Sequence, residues 1–177
     1  RISAERIKRA AVCAFHKEGA IVYDCGLCAT PAMFMAVVSD IKASASLEIT
    51  ASHHPYQKNG LKFFTPNGGL EGSEVTEILD MAYDIEPGNE SGRVIEYDFM
   101  SVYSAHLRNI IKDGVNCGET PLDGLKISVD AGNGAGGFYA EKVLKPLGAD
   151  VSGSRFLEPD GMFPNHIPNP ENTFAMD

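Results

Sequence analysis

Short apolar runs of strand length alternate with stretches of helical periodicity along nearly the whole chain. That alternation restricts it to the α/β class. Ile7, Ala11, Ala14 and Phe15 recur at helical spacing, so residues 3–18 read as an amphipathic helix. AIVYDC is a short strand. Thr30-Pro31 then opens a helix reaching about Lys42, with Thr30 as N-cap and Pro31 at the first helical position. SLEITAS and LKFFT read as strands on either side of a polar connection. Asn67-Gly68-Gly69 is a turn, and Ser73 starts a helix with Val75, Ile78, Leu79 and Ala82 on one face. Residues 86–92 read as a loop. A longer helix begins near Asp98, with Phe99, Val102, His106, Leu107, Ile110 and Ile111 inward. GVNCGETPLDG has the Gly and Pro content of a linker. Beyond it LKISVD, AGNGAGG, FYAEKVLKPLG and ADVSGS read as strand, loop, helix and strand. The pattern predicts a first domain over residues 1–120 and the start of a second over 121–177.

Bulk properties exclude several function classes. The net charge of −9 opposes a nucleic-acid partner, since phosphate contacts need clustered Lys and Arg. PAMFMAVV, the longest nearly apolar run, is too short to span a bilayer, and no signal-peptide pattern opens the chain. Four cysteines in 177 residues do not make a disulfide framework, which points to a reducing cytoplasm. The chain opens without Met and stops after a loop rich in Pro and Asn, so a piece of a longer protein is expected.

Three motifs compete for the chemistry. Cys25-Gly-Leu-Cys28 sits between a strand and a helix, the setting of a thioredoxin-type redox pair. The competing reading is a tight turn lined with small residues, and zinc would need two further ligands at short spacing. Gly132 to Gly137 formally matches GxGxxG after a strand, which admits a nucleotide-binding oxidoreductase. Asp130 just before that loop opposes a pyrophosphate, and no acidic residue closes the following strand. His16, His106 and His166 read as surface or structural histidines. A non-catalytic α/β interaction domain is the remaining alternative.

The third motif is ITASHHPYQKNGLKFF, residues 49–64. A serine hydroxyl is a poor nucleophile without a base, and the GxSxG elbow is absent. A phosphorylated serine fits better: its charge of about −1.5 to −2 needs donors and cations around it. His53 and Lys62 supply them, and Asn59-Gly60 provides the turn that returns the lysine toward Ser52.

TASHHPYQKNGLK resembles the active-site loop of the α-D-phosphohexomutases, whose usual form is T-A-S-H-N-P followed by N-G-x-K. GLCATPAMFMAV is similar to that family's Thr-Pro segment. ISVDAGNGAGGFYAEKVLKPLGADV resembles the opening of its second domain, and EPDGMFPNHIPNPEN the proline-rich segment a little further on. The resemblance implies layered α/β/α domains with a mixed sheet, most of domain one plus the opening of domain two. It implies that Ser52 carries the phosphoryl group and gives it to a hexose phosphate, with His53 and Lys62 assisting proton transfer and charge stabilisation. It also implies Mg²⁺ bound through the phosphate on Ser52. The aspartate ligands and the remaining domains of the full-length enzyme are expected outside this chain. His54 stands where the family commonly has Asn.

Overall fold

The computed structural model describes residues 1–39, 41–84, 86, 88–169 and 171–173. It divides into two compact units: Ser3–Thr50 with Asn59–Asp98, and Arg1–Ile2 with Ala51–Lys58 and Phe99–Asp177. Parallel and antiparallel strand pairing occur together with helices, so the class is α/β with mixed pairing. Among the described residues, no helix is long and apolar enough to cross a membrane.

The first unit runs α1 (Ala4–Lys17), β1 (Ile21–Asp24), α2 (Thr30–Val38), β2 (Ser46–Ile49), β3 (Leu61–Thr65), β4 (Gly68–Gly69), α3 (Gly72–Asp84) and β5 (Arg93–Glu96). β2, β3 and β4 form an antiparallel sheet, with Glu48 opposite Lys62 and Ile49 opposite Leu61. α2 is apolar nearly all round, and it buries Ala32, Ala36 and Val37. Ala32 and Ala36 are one turn apart, so their small side chains share the helix face that closes on its neighbours. Phe34 meets Phe64 of β3 at 6.2 Å between ring centroids. α2 stops at Val38, short of the sequence expectation. Ser39 explains the stop: both its amide and its hydroxyl donate to the Met35 carbonyl, and its backbone leaves helical geometry. Asp40, inside the expected helix, lies outside the described residues.

β5 was not legible as a strand. It pairs in parallel with β1, Ile21 opposite Arg93 through Asp24 opposite Glu96. The approach depends on Gly92, where a Cβ would collide with the Ala20 backbone carbonyl. Helix faces also differ in detail. Phe15 of α1 and Leu79 of α3 are exposed, while Ile7 and Ala11 of α1 and Val75 and Ile78 of α3 are half-buried.

The second unit contains α4 (Phe99–Val115). Its buried face is Phe99, Met100, Tyr103 and Ser104, whereas His106 and Ile110 are exposed. Full burial is therefore confined to the first turns, where Tyr103 meets the Phe138 ring at 6.1 Å, while Val102, Leu107 and Ile111 of the expected inward face are half-buried. The expected strands LKISVD and ADVSGS reduce to two parallel bridges, Lys126 with Asp150 and Asp130 with Arg155. A turn interrupts the ladder between them: Ser154 N–H donates to the Val151 carbonyl, and Ser152 N–H to the Asp150 carboxylate. The intervening helical segment is one π turn (Tyr139–Leu144) flanked by 3-10 turns (Ala135–Gly137 and Lys145–Leu147). Ala140, Ala149 and Val151 form the core here, with Leu122, Ile127, Val129, Leu144 and Leu157 against them.

Candidate active site

Ser52 stands at the tip of a tight turn closed by His54 N–H donating to the Ala51 carbonyl at 3.0 Å. Its φ is +48°, the left-handed region that a β-carbon disfavours by about 1–3 kcal/mol. The Ser52 Oγ lies 3.3 Å from Nδ1 of His53. His53 and His54 stack at 5.0 Å with their planes 26° apart. The two histidines therefore lie side by side on an exposed loop. A second turn follows at once, Lys58 N–H donating to the Pro55 carbonyl.

Sequence reasoning missed what holds this loop. Arg1 donates from Nη2 to the Ser52 carbonyl at 2.5 Å, and from Nη1 to the carbonyls of Pro55 at 2.7 Å and Lys58 at 3.3 Å. The planar guanidinium spans all three acceptors, a geometry that a lysine ammonium lacks. Its Cζ also sits 5.2 Å from the centre of the Phe163 ring. Burial lowers the Arg1 pKa from its ordinary value, and the guanidinium stays charged at any working pH. No periodic pattern links residues 1 and 52, so no sequence signal pointed to this clamp.

Lys62 belongs to the other compact unit, on β3 directly across from Glu48. Glu48 is only 9% exposed; its Oε1 accepts from the Thr30 hydroxyl at 2.9 Å. Its Oε2 has no hydrogen-bond partner among the described residues. Burial pushes the Glu48 acid up, against the Thr30 bond and the Lys62 charge, which pull it down. Thr30 is thus not the N-cap expected from sequence. Ala29 holds that position, and the Thr30 hydroxyl is spent on the sheet instead. Asn59 keeps the turn before Lys62 in shape, its Oδ1 accepting from Gly60 N–H and its Nδ2 donating to the Ser3 hydroxyl.

The glycine-rich loop is occupied by its own protein. Gly132 N–H donates to the Asp130 carboxylate, Asn133 N–H to the Phe156 carbonyl, and Gly134 N–H to the Ala131 carbonyl. These are amides that a pyrophosphate would need, so the nucleotide reading has no physical support at this turn. Asp130 also binds His166, Nε2 to Oδ1 at 3.0 Å, and the His166 Nδ1 faces the Ile167 carbonyl at 3.1 Å. The bond to Asp130 is the main cause raising the His166 pKa. Burial pulls Asp130 up, yet the His166 and Gly132 bonds hold it below the usual carboxylate range. His166 is accordingly a satisfied structural histidine.

Among the described residues, no group of three or more His, Cys, Asp or Glu side chains could hold a metal ion. Among the described residues, Ser52 contributes one hydroxyl and no acidic set of the kind Mg²⁺ requires is assembled around it.

The chain matches two family models in sequence order. Residues 1–87 match phosphoglucomutase/phosphomannomutase, alpha/beta/alpha domain I, and residues 101–177 match alpha/beta/alpha domain II. A phosphoglucomutase of Neisseria meningitidis serogroup A is 34% identical over 158 residues, covering 88% of this chain and 32% of that protein. A phosphoglucosamine mutase of Streptococcus suis is 35% identical over 170 residues, covering 92% of this chain and 36% of that protein. A crystal structure of a phosphoglucomutase/phosphomannomutase family protein from Burkholderia thailandensis superposes with a TM-score of 0.73 at 27% identity, over 89% of this chain and 34% of its own. The chain spans about a third of the length of the curated relatives it matches.

Proposed function

Since the chain belongs to the phosphoglucomutase/phosphomannomutase family, we propose that it supplies the phosphoryl-carrying part of a phosphohexomutase. In this reading the Ser52 Oγ holds a phosphoryl group and passes it to one hydroxyl of a hexose monophosphate. The resulting bisphosphate turns over in the site, and Ser52 regains a phosphoryl from the other position. The sugar thereby exchanges its 1-phosphate and 6-phosphate forms. The relatives named phosphoglucomutase and phosphoglucosamine mutase support a hexose phosphate as the substrate class.

The observation that carries the proposal is the presentation of Ser52. Its hydroxyl stands at the tip of a strained turn, 3.3 Å from an imidazole nitrogen, on a loop pinned at three carbonyls by Arg1. Phosphoryl transfer demands positioning and charge stabilisation more than a strong base, and a hydroxyl presented beside an imidazole meets the first demand. His53 takes the proton of the accepting hydroxyl and returns one to the departing oxygen. Lys62 offsets charge on the transferring oxygens, and Asn59-Gly60 sets the turn from which it projects.

Mg²⁺, the family's metal, would supply charge neutralisation at the phosphate on Ser52. In this reading its acidic ligands belong to other parts of the longer enzyme, together with the remaining domains. The four cysteines are free thiols, which suits the cytoplasmic location proposed for the enzyme.

Intact-mass analysis of the full-length protein is expected to find one added phosphoryl group, and Ser52→Ala to remove both it and mutase turnover. Lys62→Met is expected to lower turnover about 10²–10³-fold, equivalent to about 3–4 kcal/mol of lost charge stabilisation. Near-normal turnover in Ser52→Ala refutes the proposal outright. Wild-type turnover in Lys62→Met would instead make the lysine a solvated strand residue.

A further inference from the structure

The turn between β1 and α2 carries chemistry that the mutase reading leaves unused. Gly26 adopts a φ of +66°, and its N–H donates to the Asp24 carboxylate at 3.0 Å, so the chain folds sharply back after Cys25. The fold-back brings the Cys28 thiol to 3.2 Å from the Cys25 carbonyl oxygen, to which it donates. The Cys25 thiol in turn donates toward the Tyr23 carbonyl at 3.7 Å. Both sulfurs thus lie in one reverse turn, each half-buried, beside Leu27, which is 63% exposed. Neither is sealed from a small reagent. Among the described residues no third ligand gathers around them to make a metal cluster.

The two thiols differ in acidity. The neighbouring Cys28 side chain is the main cause lowering the Cys25 pKa, over the opposing burial and Asp24 charge. The neighbouring Cys25 side chain raises the Cys28 thiol well above its ordinary range, with burial and the nearby charges of Glu48 and Asp24 adding to it. One sulfur is therefore prepared to attack and the other to follow, the division of labour a dithiol exchange needs.

We propose that Cys25 and Cys28 form a reversible dithiol–disulfide pair that exchanges with low-molecular-weight disulfides of the glutathione type. The Cys25 thiolate attacks one sulfur of the small disulfide. The sulfur–sulfur bond breaks, one thiolate leaves and takes up a proton from water, and a mixed disulfide remains on Cys25. The Cys28 thiol then gives its proton to water and attacks the Cys25 sulfur, expelling the second small thiolate. In sum two protein thiols are oxidised to one disulfide, and one small disulfide is reduced to two thiols. This site is independent of the phosphoryl chemistry assigned to Ser52.

The test uses the 177-residue chain equilibrated with mixtures of oxidised and reduced glutathione, then alkylated and mapped by peptide mass. The wild type is expected to give a peptide carrying an internal Cys25–Cys28 bond, two hydrogens lighter. Cys28→Ser keeps a donor toward Cys25 and is expected to trap glutathione on Cys25. That trapping should run about tenfold faster than on the exposed Cys13 of the same molecule. Comparison of Cys25 and Cys13 alkylation rates in the wild type gives the same ordering without relying on a variant. The proposal is overturned if no ratio of glutathione forms produces the internal bond, or if Cys25 reacts no faster than Cys13.

Discussion

Glu48 offers the sharpest test of the packing around β2. The residue is 9% exposed, with one carboxyl oxygen bonded to Thr30 and the other unpartnered among the described residues. Burial disfavours the charged form and raises its folded pKa. The protonated acid is therefore the form the fold prefers. Its stabilising contribution is fully present below the unfolded value, near about 4.3, and is lost as pH rises through the folded value. Glu48→Gln keeps the size and removes the ionisation. The difference in stability between wild type and variant should then shift in favour of the variant across that window, by about 1.4 kcal/mol for each unit that separates the two pKa values. Thr30→Val removes the donor instead. It should cost about 1.5–3 kcal/mol where Glu48 is ionised, falling to about 0.5–1.5 kcal/mol in acid, where the bond is neutral. Because the chain holds two compact units, the readout should be local: hydrogen exchange at β2 and β3 amides under urea, followed from about pH 4 to about pH 8. A wild-type minus Glu48→Gln difference that stays flat over that range would refute the account of Glu48 as a carboxyl perturbed by burial.

Arg1→Met should leave the secondary structure intact, yet speed amide exchange across residues 53–58 by about tenfold or more, since three carbonyl anchors are lost; unchanged protection would contradict the clamp. Asp130→Asn should lower the His166 titration midpoint seen by NMR, because the Asp130 bond is the main cause holding it up. The His166 contribution to stability is present below its unfolded value, near about 6.5, and fades as pH rises through the folded one, so the variant should lose that slope. Gly137→Ala would press a Cβ into the Leu157 backbone and should destabilise the second unit by about 3 kcal/mol or more in chemical denaturation.

The sequence exposed the elements whose signals are local. α1 is set by spacing, β2 and β3 by apolar runs on either side of a polar connection, and the Ser52–His53 loop by an unusual string of functional residues. Where structure departs from expectation, a longer-range contact decides. Four residues with charged ends, Arg93 to Glu96, become a strand because β1 offers them parallel partners. Thr30 looks like a cap by composition, but Glu48 eighteen residues away takes its hydroxyl. The π turn after Phe138 has no composition cue. It accompanies close packing of Ala140 and Val143, which are 0% and 2% exposed.

The position of Ser52 shows why the site could be recognised from residues yet not constructed from them. A left-handed serine is unfavourable by about 1–3 kcal/mol, so a turn of this sequence in isolation would spend little time in that conformation. The turn bond from His54 to Ala51 closes a ring but does not by itself select a positive φ at Ser52. Arg1 adds the missing constraint by fixing the Ser52 carbonyl together with those of Pro55 and Lys58, and the Phe163 ring in turn backs Arg1. Three charge-assisted bonds, even discounted for their exposure to solvent, are of the size needed to offset the strain. The hydroxyl is thus aimed by residues 51 and 111 positions away in the chain, and changing Arg1 should disturb Ser52 before it disturbs the fold.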